Sequence, residues 1–166
     1  MARLGCYCGN TLSNVECPSK DIIRVFFKEK VDTLLKENSK LELWDVYSEE
    51  EEYDFWHCDQ CGRIYACPIP GQNVKYVCNP IEIHEDDEFN IDKCIEMFVY
   101  NDTLLDATIE NSFHILWKDF YQRNTDKRYF LSMDNKKIWV TNVESKSVIE
   151  SYAVEEVTTD EKEFDK

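Results

Sequence analysis

Apolar positions change their period several times along the chain, and each change predicts a new element. Ile22–Phe27 is a β-branched and aromatic run, which predicts a strand. Over residues 28–38 the apolar residues fall back to Val31, Leu34 and Leu35, at helical spacing. Leu41, Leu43 and Trp44 begin another strand-like stretch, while residues 10–20, with Ser13, Asn14, Pro18 and Ser19, read as a loop. Residues 64–67 and 74–78 predict a hairpin around Pro68, Pro70 and Gly71. Further on, Ile95, Met97 and Val99 alternate along a strand over 93–100. Asp102 and Thr103 then start a helix carrying Leu104, Leu105 and Ile109. Phe113, Leu116, Trp117 and Phe120 lie at the spacing of a core-facing helix. Residues 129–132, 137–143 and 147–154 predict an antiparallel meander with turns at Asp134-Asn135 and Glu144-Ser145.

A tetrapeptide recurs within this pattern. Asp32-Thr33-Leu34-Leu35 and Asp102-Thr103-Leu104-Leu105 each sit in a helix that follows a strand, a hint of two similar strand–helix units.

Two cysteine pairs organise the rest. Cys6-Tyr7-Cys8-Gly9 and Cys58-Asp59-Gln60-Cys61-Gly62 each place two thiols on one tight turn, followed by a glycine free to take a conformation that disfavours a Cβ. Four thiolates tetrahedrally arranged make a structural zinc shell, so Cys6, Cys8, Cys58 and Cys61 are the expected Zn2+ ligands. A closed shell of this kind leaves no position for a substrate. The pairs are separated by 49 residues, Gly9 to His57, which places the first strand–helix unit between them. The other cysteines, Cys17, Cys67, Cys78 and Cys94, match no metal spacing and read as buried small apolar residues, Cys17 being the one close enough to compete as a ligand.

Charge narrows the partners. The formal net charge is −15, and a four-thiolate site makes it more negative still. Such a field repels nucleic acid and anionic lipid and attracts basic proteins. The richest basic stretch, Lys118, Arg123, Lys127, Arg128, Lys136 and Lys137, is interleaved with Asp119, Asp126 and Asp134. The acidic run 45–54 holds four consecutive glutamates, Glu49, Glu50, Glu51 and Glu52, beside Trp44, Tyr47, Tyr53 and Phe55. It combines charge for steering with aromatics for anchoring, so Glu49–Glu52 and Tyr53 are the expected partner-binding residues. The second acidic run, 82–92, has only Phe89. With 43% apolar residues the 166-residue chain can bury a core. One domain over 1–166 is expected, with possible lobes at 1–80 and 91–155 and an acidic tail over 156–166.

Catalytic signatures are missing. There is no glycine-rich phosphate loop, no His-Glu-x-x-His helix and no serine flanked by glycines; His57, His84 and His114 have no partner at ligand spacing. No apolar run approaches a membrane span, and the start of the chain runs straight into the first cysteine pair, so a cytoplasmic protein is expected.

The segments Cys6-Tyr7-Cys8-Gly9-Asn10 and Phe55-Trp56-His57-Cys58-Asp59-Gln60-Cys61-Gly62-Arg63-Ile64-Tyr65 resemble the knuckles of the zinc-ribbon class. The small, acidic, zinc-containing build also resembles bacterial immunity proteins, which neutralise toxins, many of them nucleases. The fold class expected is α+β: a zinc-ribbon hairpin joined to antiparallel sheet with two or three helices. The function expected is non-enzymatic: an inhibitor of a basic protein, specifically an immunity protein blocking a nuclease toxin. The alternative is a ribbon adaptor or regulator contacting a larger machine such as a polymerase.

Overall fold

The computed structural model describes residues 2–48, 53–69, 73–84, 87–111 and 114–157. The chain opens with a small antiparallel hairpin of β1 (Arg3–Gly5) and β2 (Thr11–Ser13). Strand β3 (Ile22–Phe27) leads into helices α1 (Lys28–Glu37) and α2 (Leu43–Tyr47). A meander of β4 (Tyr53–His57), β5 (Ile64–Pro68) and β6 (Tyr76–Ile81) follows. After a 3-10 turn at Ile91–Lys93 the same series returns. It consists of β7 (Cys94–Asn101), α3 (Asp102–Asn111), α4 (Trp117–Asn124), β8 (Lys127–Ser132), β9 (Lys137–Asn142) and β10 (Val148–Glu156). Hydrogen bonds join β10-β6-β5-β4-β3-β7-β8-β9 into a closed barrel, antiparallel at every seam.

This overturns the α+β expectation of a zinc-ribbon hairpin joined to a sheet. The β4–β5 hairpin that carries the second cysteine pair is part of the barrel wall. Its outer edges are paired, β4 with β3 and β5 with β6. Closure leaves the barrel no free sheet edge.

The two halves repeat at a constant offset of 74 residues. Lys28–Glu37 of α1 maps onto Asp102–Asn111 of α3. The pairs Tyr53↔Pro68 and Ile64↔Cys78 map onto Lys127↔Asn142 and Ile138↔Tyr152. Where the halves meet, Val25 faces Val99 and Asn79 faces Ala153, each residue opposite its own counterpart, as a twofold arrangement requires. The short bridge between the helix pairs obeys the same offset: Glu42 faces Leu116, closed by the N–H of Leu43 donating to Ile115 and that of Trp117 donating to Leu41. The repeated Asp-Thr-Leu-Leu tetrapeptides are four residues out of this register. Asp32 lies inside α1, whereas Asp102 opens α3.

Three apolar clusters follow from the pleat. Ile23, Val25, Met97, Ile138, Val140 and Tyr152 line the barrel interior. On the outer face of β3 and β7, Phe26, Phe98 and Tyr100 meet the helices through Val31, Leu105, Trp117 and Phe120. Trp117 lies edge-on to Phe26, Phe98 and Tyr100, at centroid distances of 6.0, 5.5 and 6.1 Å. On the outer face of β4, β5 and β6, Trp56, Tyr65 and Val77 are covered by the N-terminal hairpin through Leu12.

Local expectations fail where a second rule wins. Leu41, Leu43 and Trp44 do not begin a strand. Glu42 and Asp45 form a reciprocal capping box that starts α2, and Leu43 and Val46 are buried together on its inner face. The expected loop 10–20 contains β2, which pairs with β1. The last helix starts at Trp117, and Phe113 lies outside the described residues. No helix among the described residues is long and apolar enough to cross a membrane.

Candidate metal centre

Each cysteine pair occupies the turn of a hairpin. The first turn joins β1 to β2 and is closed by the Cys6 N–H donating to Asn10 O at 2.8 Å; the second joins β4 to β5, with the Cys58 N–H donating to Arg63 O at 2.9 Å. Gly9 and Gly62 each donate back to the first cysteine of their turn, at 2.9 and 2.8 Å. Both adopt positive φ, +92° and +72°, which is why a glycine ends each turn.

Packing of the N-terminal hairpin on the barrel wall brings the turns together. The sulfurs of Cys6, Cys8, Cys58 and Cys61 all lie within 4.8 Å of one another, an arrangement that can hold a metal ion. Cys6 Sγ is 3.4 Å from both Cys8 Sγ and Cys61 Sγ, and Cys8 Sγ is 3.7 Å from Cys58 Sγ. The site is set at the surface: Cys6 and Cys58 are buried, Cys61 is half-buried and Cys8 faces outward.

Donors ring the sulfurs. Tyr65 Oη donates to Cys6 Sγ at 3.0 Å and accepts from the Tyr7 N–H at 3.1 Å. Asn10 Nδ2 donates to Cys58 Sγ and a guanidinium nitrogen of Arg63 donates to Cys61 Sγ, each at 3.5 Å. Burial pushes the Cys58 thiol up, but donation from Asn10 and from the backbone N–H groups of Cys61 and Gln60 outweighs it and brings the thiol down to about 6. Cys8 moves the other way, to about 12. The Asn10 N–H draws it down, and the neighbouring Cys6, Cys61 and Cys58 sulfurs, with partial burial, outweigh that. Thiols this close cannot all ionise without a cation among them. The Tyr65 hydroxyl is pushed up by burial and by its bond to Cys6, and so stays a donor.

The other candidates fall elsewhere. Cys17 is exposed and lies outside the four-sulfur group. Cys67 and Cys78 are buried as expected, but Cys94 is only half-buried, with its thiol donating to Asn90 O at 3.3 Å. His57 is not part of the sulfur group; burial lowers its pKa. His114 is exposed, 3.0 Å from Glu42. Glu49, Glu50, Glu51 and Glu52 lie outside the described residues. Tyr53, expected as a partner-binding residue, is half-buried in β4 with its ring against Phe55 and Tyr76, both centroids at 6.1 Å. Of the basic stretch, Lys127, Arg128 and Lys137 are paired with Glu150, Glu96 and Asp87.

Sequence reasoning missed Asn10, Arg63 and Tyr65. Asn10 and Arg63 each directly follow the glycine of a cysteine turn, and that shared position was the available signal.

In comparisons with known proteins, the family model described as "Domain of unknown function (DUF8617)" matches residues 2–93. That span holds the N-terminal hairpin, the first half of the barrel and all four clustered cysteines. No curated protein and no solved structure matches. The match covers more than half of the chain, which therefore belongs to the DUF8617 family.

Proposed function

We propose that the protein is a non-enzymatic, zinc-stapled β-barrel that binds a basic protein. Zinc is the metal the donor set suits best. A tetrahedron with sulfurs about 2.3 Å from the metal has sulfur–sulfur edges of about 3.8 Å. The separations of 3.4, 3.4 and 3.7 Å need only a slight expansion to reach that. Four thiolates around a dication carry excess negative charge, which Arg63 and the amide of Asn10 partly offset. With four ligands the shell is closed, so bound zinc would fasten the N-terminal hairpin to the barrel wall.

The observation that carries the binding reading is the formal charge of −15. It is reinforced by the pairing of Lys127, Arg128 and Lys137, which removes half of the richest basic stretch as a phosphate-binding surface. Such a surface steers a cationic cleft into contact, and an immunity protein blocking a nuclease toxin is the instance its charge suits. A cluster of thiolates placed to hold a metal suits the reducing cytoplasm. The test is co-purification from the native cell with mass spectrometry of what comes down. A strongly basic partner whose association slows as salt is raised supports the reading. A partner bound equally fast at low and high salt, or a nucleic acid, overturns it.

A further inference from the structure

We propose that the barrel interior is a binding site for an uncharged apolar small molecule of roughly ten to eighteen carbons, entering beside α1. The proposal does not rest on the partner reading above. Eight strands enclose either a side-chain-filled core or room for one small ligand, and which of the two is decided by the inward residues. Here the twofold repeat makes the comparison internal, because the two barrel ends are built from equivalent positions.

One end is plugged. Lys127 Nζ meets Glu150 Oε1 at 2.5 Å, and Tyr152 Oη donates to Glu150 Oε2 at 3.0 Å. The counterparts of Lys127, Glu150 and Tyr152, at the offset of 74, are Tyr53, Tyr76 and Cys78. Likewise Val140 has Ala66 as its counterpart. At the second end the equivalent positions therefore carry two tyrosines in place of the ion pair and smaller side chains below them. A cavity of about 440 Å³ results, walled by Val25, Phe55, Ala66, Cys78, Met97 and Leu131. This lies within the 300–1,000 Å³ typical of ligand pockets. It is also about three times the ~150 Å³ of a dry apolar cavity that takes one benzene ring, which sets the carbon count.

The rim defines the head of the ligand. Phe27 stands there 39% exposed, and Val31 and Leu34 of α1 continue the apolar wall outward. Around the same opening lie Tyr53, Tyr76 and Asn135, whose hydroxyls and amide make no side-chain hydrogen bond to another described residue. They suit an alcohol, ester or amide head. Lys30 is on the rim too but is already engaged within the protein. A carboxylate head would meet the field of a chain of charge −15.

The experiment titrates the metal-loaded full chain with N-phenyl-1-naphthylamine, a neutral probe of matching size, and then competes it with decanol, decanoate and decyltrimethylammonium. One-to-one binding with a dissociation constant on the order of 10 µM, displaced at least tenfold better by decanol than by decanoate, is expected. Cys78→Tyr supplies the side chain of the plugged half and should weaken probe binding at least tenfold while keeping near-ultraviolet dichroism. In parallel, the Met97 methyl resonance of the unaltered protein should shift on adding decanol. Absence of saturable binding, probe binding unchanged in folded Cys78→Tyr, or shifts that spare Met97 would each overturn the proposal. Displacement by the cation or by decanoate in preference to decanol would overturn its uncharged-head component.

Discussion

Tyr65→Phe removes one oxygen from a buried ring and tests whether the metal centre depends on its surroundings as well as on its sulfurs. The residue is 1% exposed, and its ring stays in place because Phe has the same shape. Lost are the donation to Cys6 Sγ at 3.0 Å and the acceptor for the Tyr7 N–H at 3.1 Å. With metal bound, Cys6 is a thiolate, and a hydrogen bond to a charged group contributes about 1.5–3 kcal/mol. With metal removed and Cys6 protonated, the same bond is neutral and contributes about 0.5–1.5 kcal/mol. The difference, about 1–1.5 kcal/mol, appears as roughly a tenfold loss of metal affinity, since 1.4 kcal/mol is one decade. The loss of the Tyr7 acceptor is common to both states and cancels. The assay is chelator competition for affinity, with urea unfolding of the loaded and chelator-stripped protein as the second leg. If the variant loses equal stability in both forms and binds metal as tightly as the parent, the hydroxyl supports only the packing, and the argument for a tuned thiolate fails.

Four further outcomes are expected. Cys58→Ser should abolish one-to-one metal binding in native mass spectrometry and lower the unfolding midpoint, as should chelation of the parent; an unchanged midpoint on chelation would deny the metal a structural role. Gly62→Ala should cost more than Gly9→Ala in urea unfolding. Both have positive φ and pay about 1 kcal/mol, but only at Gly62 does the added Cβ meet an atom, Pro80 Cγ at 3.2 Å. Phe120→Ala, fully buried between the helices and β7, should destabilise by about 3–5 kcal/mol, and a loss under 1 kcal/mol would contradict the packing described. Glu150 is pushed up by burial, but Lys127 and Tyr152 more than offset this and hold its carboxyl below the ordinary 4.5. Its contribution is therefore present above about pH 4.5 and is lost as pH falls through the lower folded value; Glu150→Gln should flatten the stability curve below pH 4.5, and an unchanged slope would refute the pairing.

What was legible in the sequence was local. The cysteine turns could be read because sulfur spacing and a following glycine are set within five residues. Most strands could be read because their pleat alternates, as Met97 and Val99 do. Barrel closure could not, because it is made by pairings such as Tyr76 with Glu156, 80 positions apart, and no local period records which edges will meet. The repeat was glimpsed and misread. Asp-Thr-Leu-Leu matches letter for letter but is displaced by a helical turn, whereas the true counterparts Val31 and Leu105, or Val46 and Phe120, share only burial. The setting of Tyr53 was hidden for a related reason: an aromatic beside a run of charges reads as surface, yet the pleat turns it toward the lumen.

The self-facing pairs at Val25–Val99 and Asn79–Ala153 have a consequence for how such a chain can be cut and joined. A seam in which each residue opposes its own counterpart is the seam of a symmetric homodimer, made twice within one polypeptide. Residues 94–157 alone would present two unsatisfied edges, β7 and β10. A second copy offers what both edges require, so that fragment should assemble in pairs into a barrel plugged at both ends. The first half, carrying the metal hairpin, would pair into one that is open at both.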